Sequence, residues 1–177
     1  MAHVMVDSFL AGHRGQIPEE VWEWRRQNWT YEVSAQGWER TLRGIADGSS
    51  PQECVYLAET ESGEIIGLAM AGVETGSTTA EVYALYVLPD HHRQGNGRRL
   101  VAAIAAHLAQ WDVTALHIGV LKANAPARRF YEALGGQIVG EREVEDAGFQ
   151  LPEVIYGWSD VGMLLSKAGS EHLTEAP

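Results

Sequence analysis

Apolar positions at helical spacing open the chain and give way to strand-like runs near its middle. Over residues 2–14, Val4, Phe9 and Leu10 fall on roughly one helical face. Pro18 suits the first position of a second helix, where Glu19 and Glu20 complement the helix dipole. That helix carries Val21, Trp22 and Trp24. Ser34 predicts the cap of a third helix running to about Asp47, with Gly48 as its stop. From Cys54 the period changes. C-V-Y-L-A-E-T and E-I-I-G-L-A-M-A-G-V flank E-S-G, which predicts a hairpin. E-V-Y-A-L-Y-V-L reads as a buried strand closed by Pro89. Asn96 to about Trp111 predicts a helix with an apolar face at Leu100, Ile104 and Leu108. A-L-H-I-G-V-L is the next strand, and Asn124–Leu134 a short helix with Pro126 in its first turn and Gly135-Gly136 after it. Two strands follow near 137–145 and 152–159, then a polar tail after Lys167 that predicts fraying. This order implies an α/β chain: a mixed sheet with helices packed on it and at least one parallel crossover.

Length and composition narrow the classes. The 177 residues suit one domain, and 45% apolar content supplies a core, against global disorder. Twenty-four acidic against 13 basic side chains give a formal charge of −11. That balance argues against nucleic-acid binding, which draws its affinity from basic groups on phosphates, and suits a neutral or cationic partner. The single cysteine, Cys54, excludes a disulfide framework or a multi-cysteine zinc site and fits a cytoplasmic location. The histidines at 3, 13, 107, 117 and 172 have no ligand spacing, so no metal is expected. The first residues do not read as a signal peptide, and no apolar run is long enough to span a membrane.

The basic residues concentrate in D-H-H-R-Q-G-N-G-R-R-L, residues 90–100, with three arginines and two histidines against one aspartate. Gly95 and Gly97 let backbone approach a ligand closely. The loop opens a helix whose first amides lack internal partners, so a pyrophosphate suits it. Arg93, Arg98 and Arg99 add charge. The plainer reading is a tight turn made soluble by its arginines. The loop lacks the G-K-[ST] of a Walker motif and the third glycine and distant acidic residue of a dinucleotide fingerprint.

Three segments then resemble one family. A-E-V-Y-A-L-Y-V-L-P is similar to the fourth strand of the GNAT superfamily of acetyl-CoA-dependent N-acetyltransferases. H-R-Q-G-N-G-R resembles its pyrophosphate loop, and N-A-P-A-R-R-F-Y-E-A-L-G-G its later N-x-x-A-x-x-[FL]-Y-x-x-x-G block. Together they span residues 80–136. The resemblance implies one domain over 1–166, followed by the tail 167–177, with a mostly antiparallel sheet and acetyl-CoA as co-substrate. It implies that the amides of His92, Arg93, Gln94, Gly95, Asn96, Gly97 and Arg98, with Arg99 nearby, hold the pyrophosphate. Leu85, Tyr86 and Val87 would pair through their backbone with the pantetheine arm, and the Leu85 amide would polarise the thioester. Asn124 would bond the arm or its own loop, while Ala127 and Phe130 pack beside it. Tyr131 would protonate the leaving thiolate, and Glu81 would deprotonate the incoming ammonium through water. The acceptor would be a small molecule or peptide carrying a primary amine, attacked in a ternary complex by a monomer or homodimer. A CoA-binding module without catalysis, acting as a sensor or partner subunit, is the alternative; a nucleotide-binding α/β protein of another kind is the second.

The chain also departs from that pattern. His92 stands where arginine or glutamine is usual. Gly119 replaces the glutamate that some protein N-terminal acetyltransferases carry there. The usual strand before the first helix is not visible, which would leave a sheet edge open or covered by another chain. Trp22, Trp24, Trp29 and Trp38 suit core or dimer packing better than an aromatic acceptor pocket. E-R-E-V-E-D (141–146) reads as a solvated strand end and His117 as a core histidine. Cys54 reads as packing rather than as a nucleophile.

Overall fold

The computed structural model describes residues 1–50, 52–162 and 164; the expected tail at 167–177 and His172 lie outside them. Helices α1 (Ala2–His13), α2 (Glu19–Asn28) and α3 (Tyr31–Ala46) precede strands β1 (Glu53–Glu59), β2 (Ile65–Val73) and β3 (Thr79–Val87). Helix α4 (Asn96–Leu108), strand β4 (Ala115–Leu121), helix α5 (Ala125–Ala133) and strands β5 (Gln137–Asp146) and β6 (Phe149–Trp158) follow. The six strands lie in the order β1-β2-β3-β4-β6-β5. Among the described residues only β3 and β4 are parallel, joined by the α4 crossover; the other pairs are antiparallel.

Most predicted elements are present, with three shifts. Helix α3 is capped by Thr30, whose Oγ1 accepts from the Val33 amide at 3.3 Å, so Ser34 is not the cap. Ser34 instead shares the buried face of α3 with Trp38, one turn on. Pro18 stands just before α2 as its N-cap rather than at its first helical position. Strand β6 begins at Phe149, three residues before the expected 152. Pro152 is tolerated inside it because β4 ends at Leu121, opposite Glu153. The N–H that proline lacks therefore falls just beyond the last ladder pair on that side.

The two faces of the sheet are covered differently. Leu100, Val101, Ile104, Ala105 and Leu108 of α4 pack on one face with Leu116, Ile118, Val154 and Tyr156. On the other face α1 and α3 bring Val4 and Trp38 against Leu68 and Ala84. Near the far end, Ile17, Val21 and Trp22 pack on Leu151, with Leu121 and Val144 alongside. Trp22 and Trp38 are thus core residues of separate clusters, and Trp22 Nε1 donates to the Leu10 carbonyl at 2.9 Å. Trp29 packs edge-on against Phe9, while Trp24 is exposed. Burial pushes the Cys54 thiol up to about 11. Since the thiolate is the reactive form, native Cys54 should react with a disulfide reagent at least a hundredfold more slowly than the denatured chain. Equal rates, followed by thiol absorbance, would refute its packing role.

Candidate active site

A single inserted residue in β3 shapes the centre of the molecule. Against β2, Ala84 faces Met70 and Val82 faces Ala71, so Tyr83 has no partner and forms a bulge. The bulge changes which side chains face each way. Ala80 and Val82 point to the α4 face before it, and Leu85 and Val87 after it. Ala84 and Tyr86 point to the α1–α3 face. Parallel pairing with β4 ends at the same place: Thr79–Val82 match Ala115–Ile118, and no further pair follows among the described residues. Among the described residues, β3 beyond the bulge is bonded to β2 alone, through Leu85, Tyr86 and Val87 opposite Ala69, Leu68 and Gly67, and β4 continues through Gly119–Leu121 with only β6 as neighbour. The sheet therefore opens into a fork between β3 and β4.

One prong of the fork leads into the basic loop. After Pro89, the His92 ring nitrogen Nε2 lies 2.8 Å from the Val87 carbonyl, tying the loop to the strand. Gln94 Nε2 donates to the Asp90 carbonyl at 3.0 Å. Gly95 takes a left-handed φ of 84° just before α4, a conformation that favours glycine. Asn96 is buried and donates through Nδ2 to the His91 carbonyl at 3.0 Å, while its Oδ1 accepts from Arg99 at 2.6 Å. The side chains thus brace the loop and leave the first amides of α4 at its open end. A Cβ at Gly97 would lie 3.3 Å from Phe130 Cζ, so the first turn of α4 packs directly on α5.

Helix α5 completes that side. Asn124 caps it by accepting from the Ala127 amide at 3.2 Å, so its side chain serves its own loop. Leu85, Val87, Ala127 and Phe130 border the apolar cluster that contains Tyr131. Residues 85 and 131, far apart in sequence, thus belong to one apolar cluster. Tyr131 is 6% exposed. Its ring is set by Phe130 at 5.4 Å, Tyr156 at 5.8 Å and Trp158 at 6.3 Å between centroids. Tyr156 is anchored in turn by its 2.6 Å hydrogen bond to Glu132, and Trp158 by a 3.1 Å bond to the Leu134 carbonyl. Burial, with the neighbouring Tyr86 phenol and Glu153, holds the Tyr131 phenol far above its ordinary value. It is therefore a neutral donor at physiological pH. Tyr86 is pushed up to about 12, chiefly by burial.

Glu81 lies on the opposite face, in the paired part of β3 opposite Gly72 and His117. Its Oε1 is 2.7 Å from Arg142 Nη2 on β5, and Arg142 Nε donates to Glu153 Oε2 on β6 at 2.9 Å. This three-residue bridge was not expected from sequence. Arg142 falls within the run read as a solvated strand end, and Glu153 carries no local signal. Nearby, Arg25 of α2 pairs with Asp146 at 2.7 Å, fastening the helices to the end of β5. Among the described residues no group of three or more His, Cys, Asp or Glu side chains is disposed to hold a metal. No helix among them is long and apolar enough to cross a membrane.

Comparison with known proteins places the chain in a family. The profile of the acetyltransferase (GNAT) family matches residues 18–136. The chain belongs to that family. This GNAT protein is 32% identical over 168 residues to YuaI of Bacillus subtilis, an uncharacterized N-acetyltransferase, covering 93% of this chain and 88% of the relative. It is 28% identical to the peptidyl-lysine N-acetyltransferase YjaB of Salmonella typhimurium, over 73% of this chain and 82% of that one. In fold it is similar to PaiA N-acetyltransferase from Thermoplasma acidophilum, solved with coenzyme A. The TM-score is 0.66 and the identity 19%, over 89% of both chains. The GNAT chain is an acyltransferase, with the mixed sheet and flanking helices of its family.

Proposed function

We propose that this GNAT protein transfers an acetyl group from acetyl-CoA to a primary amine by direct attack in a ternary complex, within one domain over residues 1–166. The observation that carries the reading is the side of β3 beyond Tyr83 that is unpaired among the described residues, which runs into the basic loop and borders the apolar cluster that holds Tyr131. An extended pantetheine arm is the natural partner for such an edge, as an added strand. The amides from Arg93 to Arg98 suit its pyrophosphate; the His92 amide, expected among them, is instead bonded to the Pro89 carbonyl at 3.1 Å. Ala127 and Phe130 offer the arm an apolar wall. The Leu85 amide would polarise the thioester oxygen as negative charge develops on it, and Tyr131 would serve the departing sulfur.

The acceptor would approach from the Glu81 face. A protonated amine has no lone pair, so a carboxylate there must take its proton; the sequence resemblance points to Glu81, and Glu153 shares the same guanidinium. Two carboxylates on one guanidinium leave one negative charge in excess, which suits a cationic small molecule or a lysine-bearing peptide. YjaB is named for a peptidyl-lysine acceptor, and that class is one arm of the test. Acetyl-CoA would be incubated with amino acids, polyamines, aminoglycosides and lysine peptides, and free thiol measured. Release with one amine class, together with a rise in melting temperature with CoA but not with ATP or NAD, is the expected result. CoA stabilisation without thiol release would favour a non-catalytic CoA module, and stabilisation by ATP or NAD alone a different nucleotide-binding protein.

A further inference from the structure

Gly119 is the first residue of β4 past the last β3–β4 pair, so it stands at the apex of the fork. A Cβ built there would lie 2.5 Å from both Glu153 Oε2 and Arg142 Nη2. The missing side chain is therefore replaced in space by a carboxylate reaching in from β6 and the guanidinium that holds it. Glu153 is paired by register with Leu121, yet its carboxylate leans back over Gly119. Its side chain is 14% exposed, against 35% for Glu81, which sits lower, in the closed part of the fork. Resting on the acetyl-transfer reading above, the geometry points to Glu153 as the catalytic carboxylate that takes the acceptor's proton, and to Arg142 as the positioning residue that holds it over Gly119.

The groups around Glu153 are consistent with that work. Arg142 meets it from β5, and Glu81 lies across Arg142 from β3. The negative charge of Glu153 adds to burial in raising the Tyr86 and Tyr131 phenols. The protons balance in sequence. Glu153 takes one proton from the ammonium, the nitrogen attacks the thioester carbon, and the C–S bond breaks as the amide forms. The sulfur takes the Tyr131 proton, a second nitrogen proton restores that phenol, and the proton on Glu153 leaves to solvent. Glu81 keeps Arg142 in place from the other side.

The test compares E153Q, E81Q, R142A and R142K in the full chain, using phenethylamine, spermidine and Nα-acetyl-lysine methylamide as probes. Acetyl-CoA hydrolysis without amine provides a second readout, with water in the acceptor position. E153Q should lose about a hundredfold in kcat, within the usual contribution of a general base. CoA-induced stabilisation should persist. E81Q should lose only several-fold. R142A should lower kcat with little change in KM for acetyl-CoA, and R142K should recover part of the loss. A larger loss in E81Q than in E153Q, or wild-type kcat in E153Q, overturns the assignment alone. No thiol release from the wild type with any probe or with water overturns the acetyl-transfer reading and this assignment with it.

Discussion

Gly97→Leu should abolish the stabilisation of the protein by CoA while leaving the fold intact. Ligand at a hundred times its Kd stabilises a protein by about 2.7 kcal/mol. For a chain of this size each kcal/mol raises Tm by about 2–4 °C, so the wild type should gain about 5–10 °C. The first atom added at Gly97 already lies 3.3 Å from Phe130 Cζ. The rest of a leucine side chain must occupy the junction between the first turn of α4 and α5, through which the pantetheine arm would pass toward Tyr131. Leucine is a good helix former, and the junction is half-open. The variant should fold, with a loss of about 1–3 kcal/mol at most from overpacking. Differential scanning fluorimetry with and without CoA measures both terms. A full CoA shift in a folded Gly97→Leu protein would remove the α4 loop from the cofactor site.

The segments proposed to hold the cofactor were legible as structure because their determinants are local. Gly95, Gly97 and the arginines span one short loop and the first turn of the helix it opens, and Asn124 caps the helix that carries Ala127, Phe130 and Tyr131. Each segment marks its own conformation, and the chain need only bring two such segments together. The proposed acceptor half is different. Glu81, Arg142 and Glu153 come from three strands, and their meeting depends on register rather than on spacing. That register is set by the Tyr83 bulge, by another between Ile138 and Gly140, and by the early start of β6. A shift of one residue at any of them would send a side chain to the opposite face. The E-R-E-V-E-D run illustrates the problem. Glu143 and Glu145 are exposed as expected, yet Arg142 bridges two carboxylates and Asp146 anchors Arg25. Helix α3 shows the same limit on a smaller scale. Thr30 and Ser34 are both good caps, and only the packing of the Ser34–Trp38 face selects between them.

Tyr131→Phe should lower kcat about a hundredfold with little effect on KM for acetyl-CoA or on stability. The change is unusually clean here. Among the described residues the Tyr131 hydroxyl makes no hydrogen bond, while the ring contacts with Phe130, Tyr156 and Trp158 would all survive in phenylalanine. Loss of the hydroxyl therefore removes chemistry and spares packing. The direction of its pKa also limits what the hydroxyl does. A thiol titrates near 8.5 and an ordinary phenol near 10; burial and the nearby Glu153 raise this phenol further. Complete proton transfer to a free thiolate would thus be uphill. The phenol instead stabilises charge on sulfur through a hydrogen bond as the C–S bond breaks, and its proton moves as the tetrahedral nitrogen supplies a replacement. That places the effect at the lower end of general acid catalysis, which spans about 10²–10⁴-fold. It also fixes the pH dependence. A phenol raised in this way stays protonated through neutral and mildly alkaline pH, so any fall in kcat between pH 8 and 9 must persist in Tyr131→Phe. Steady-state thiol release across pH tests both points. Wild-type kcat in the variant, or disappearance of an alkaline limb, would remove Tyr131 from the leaving-group role.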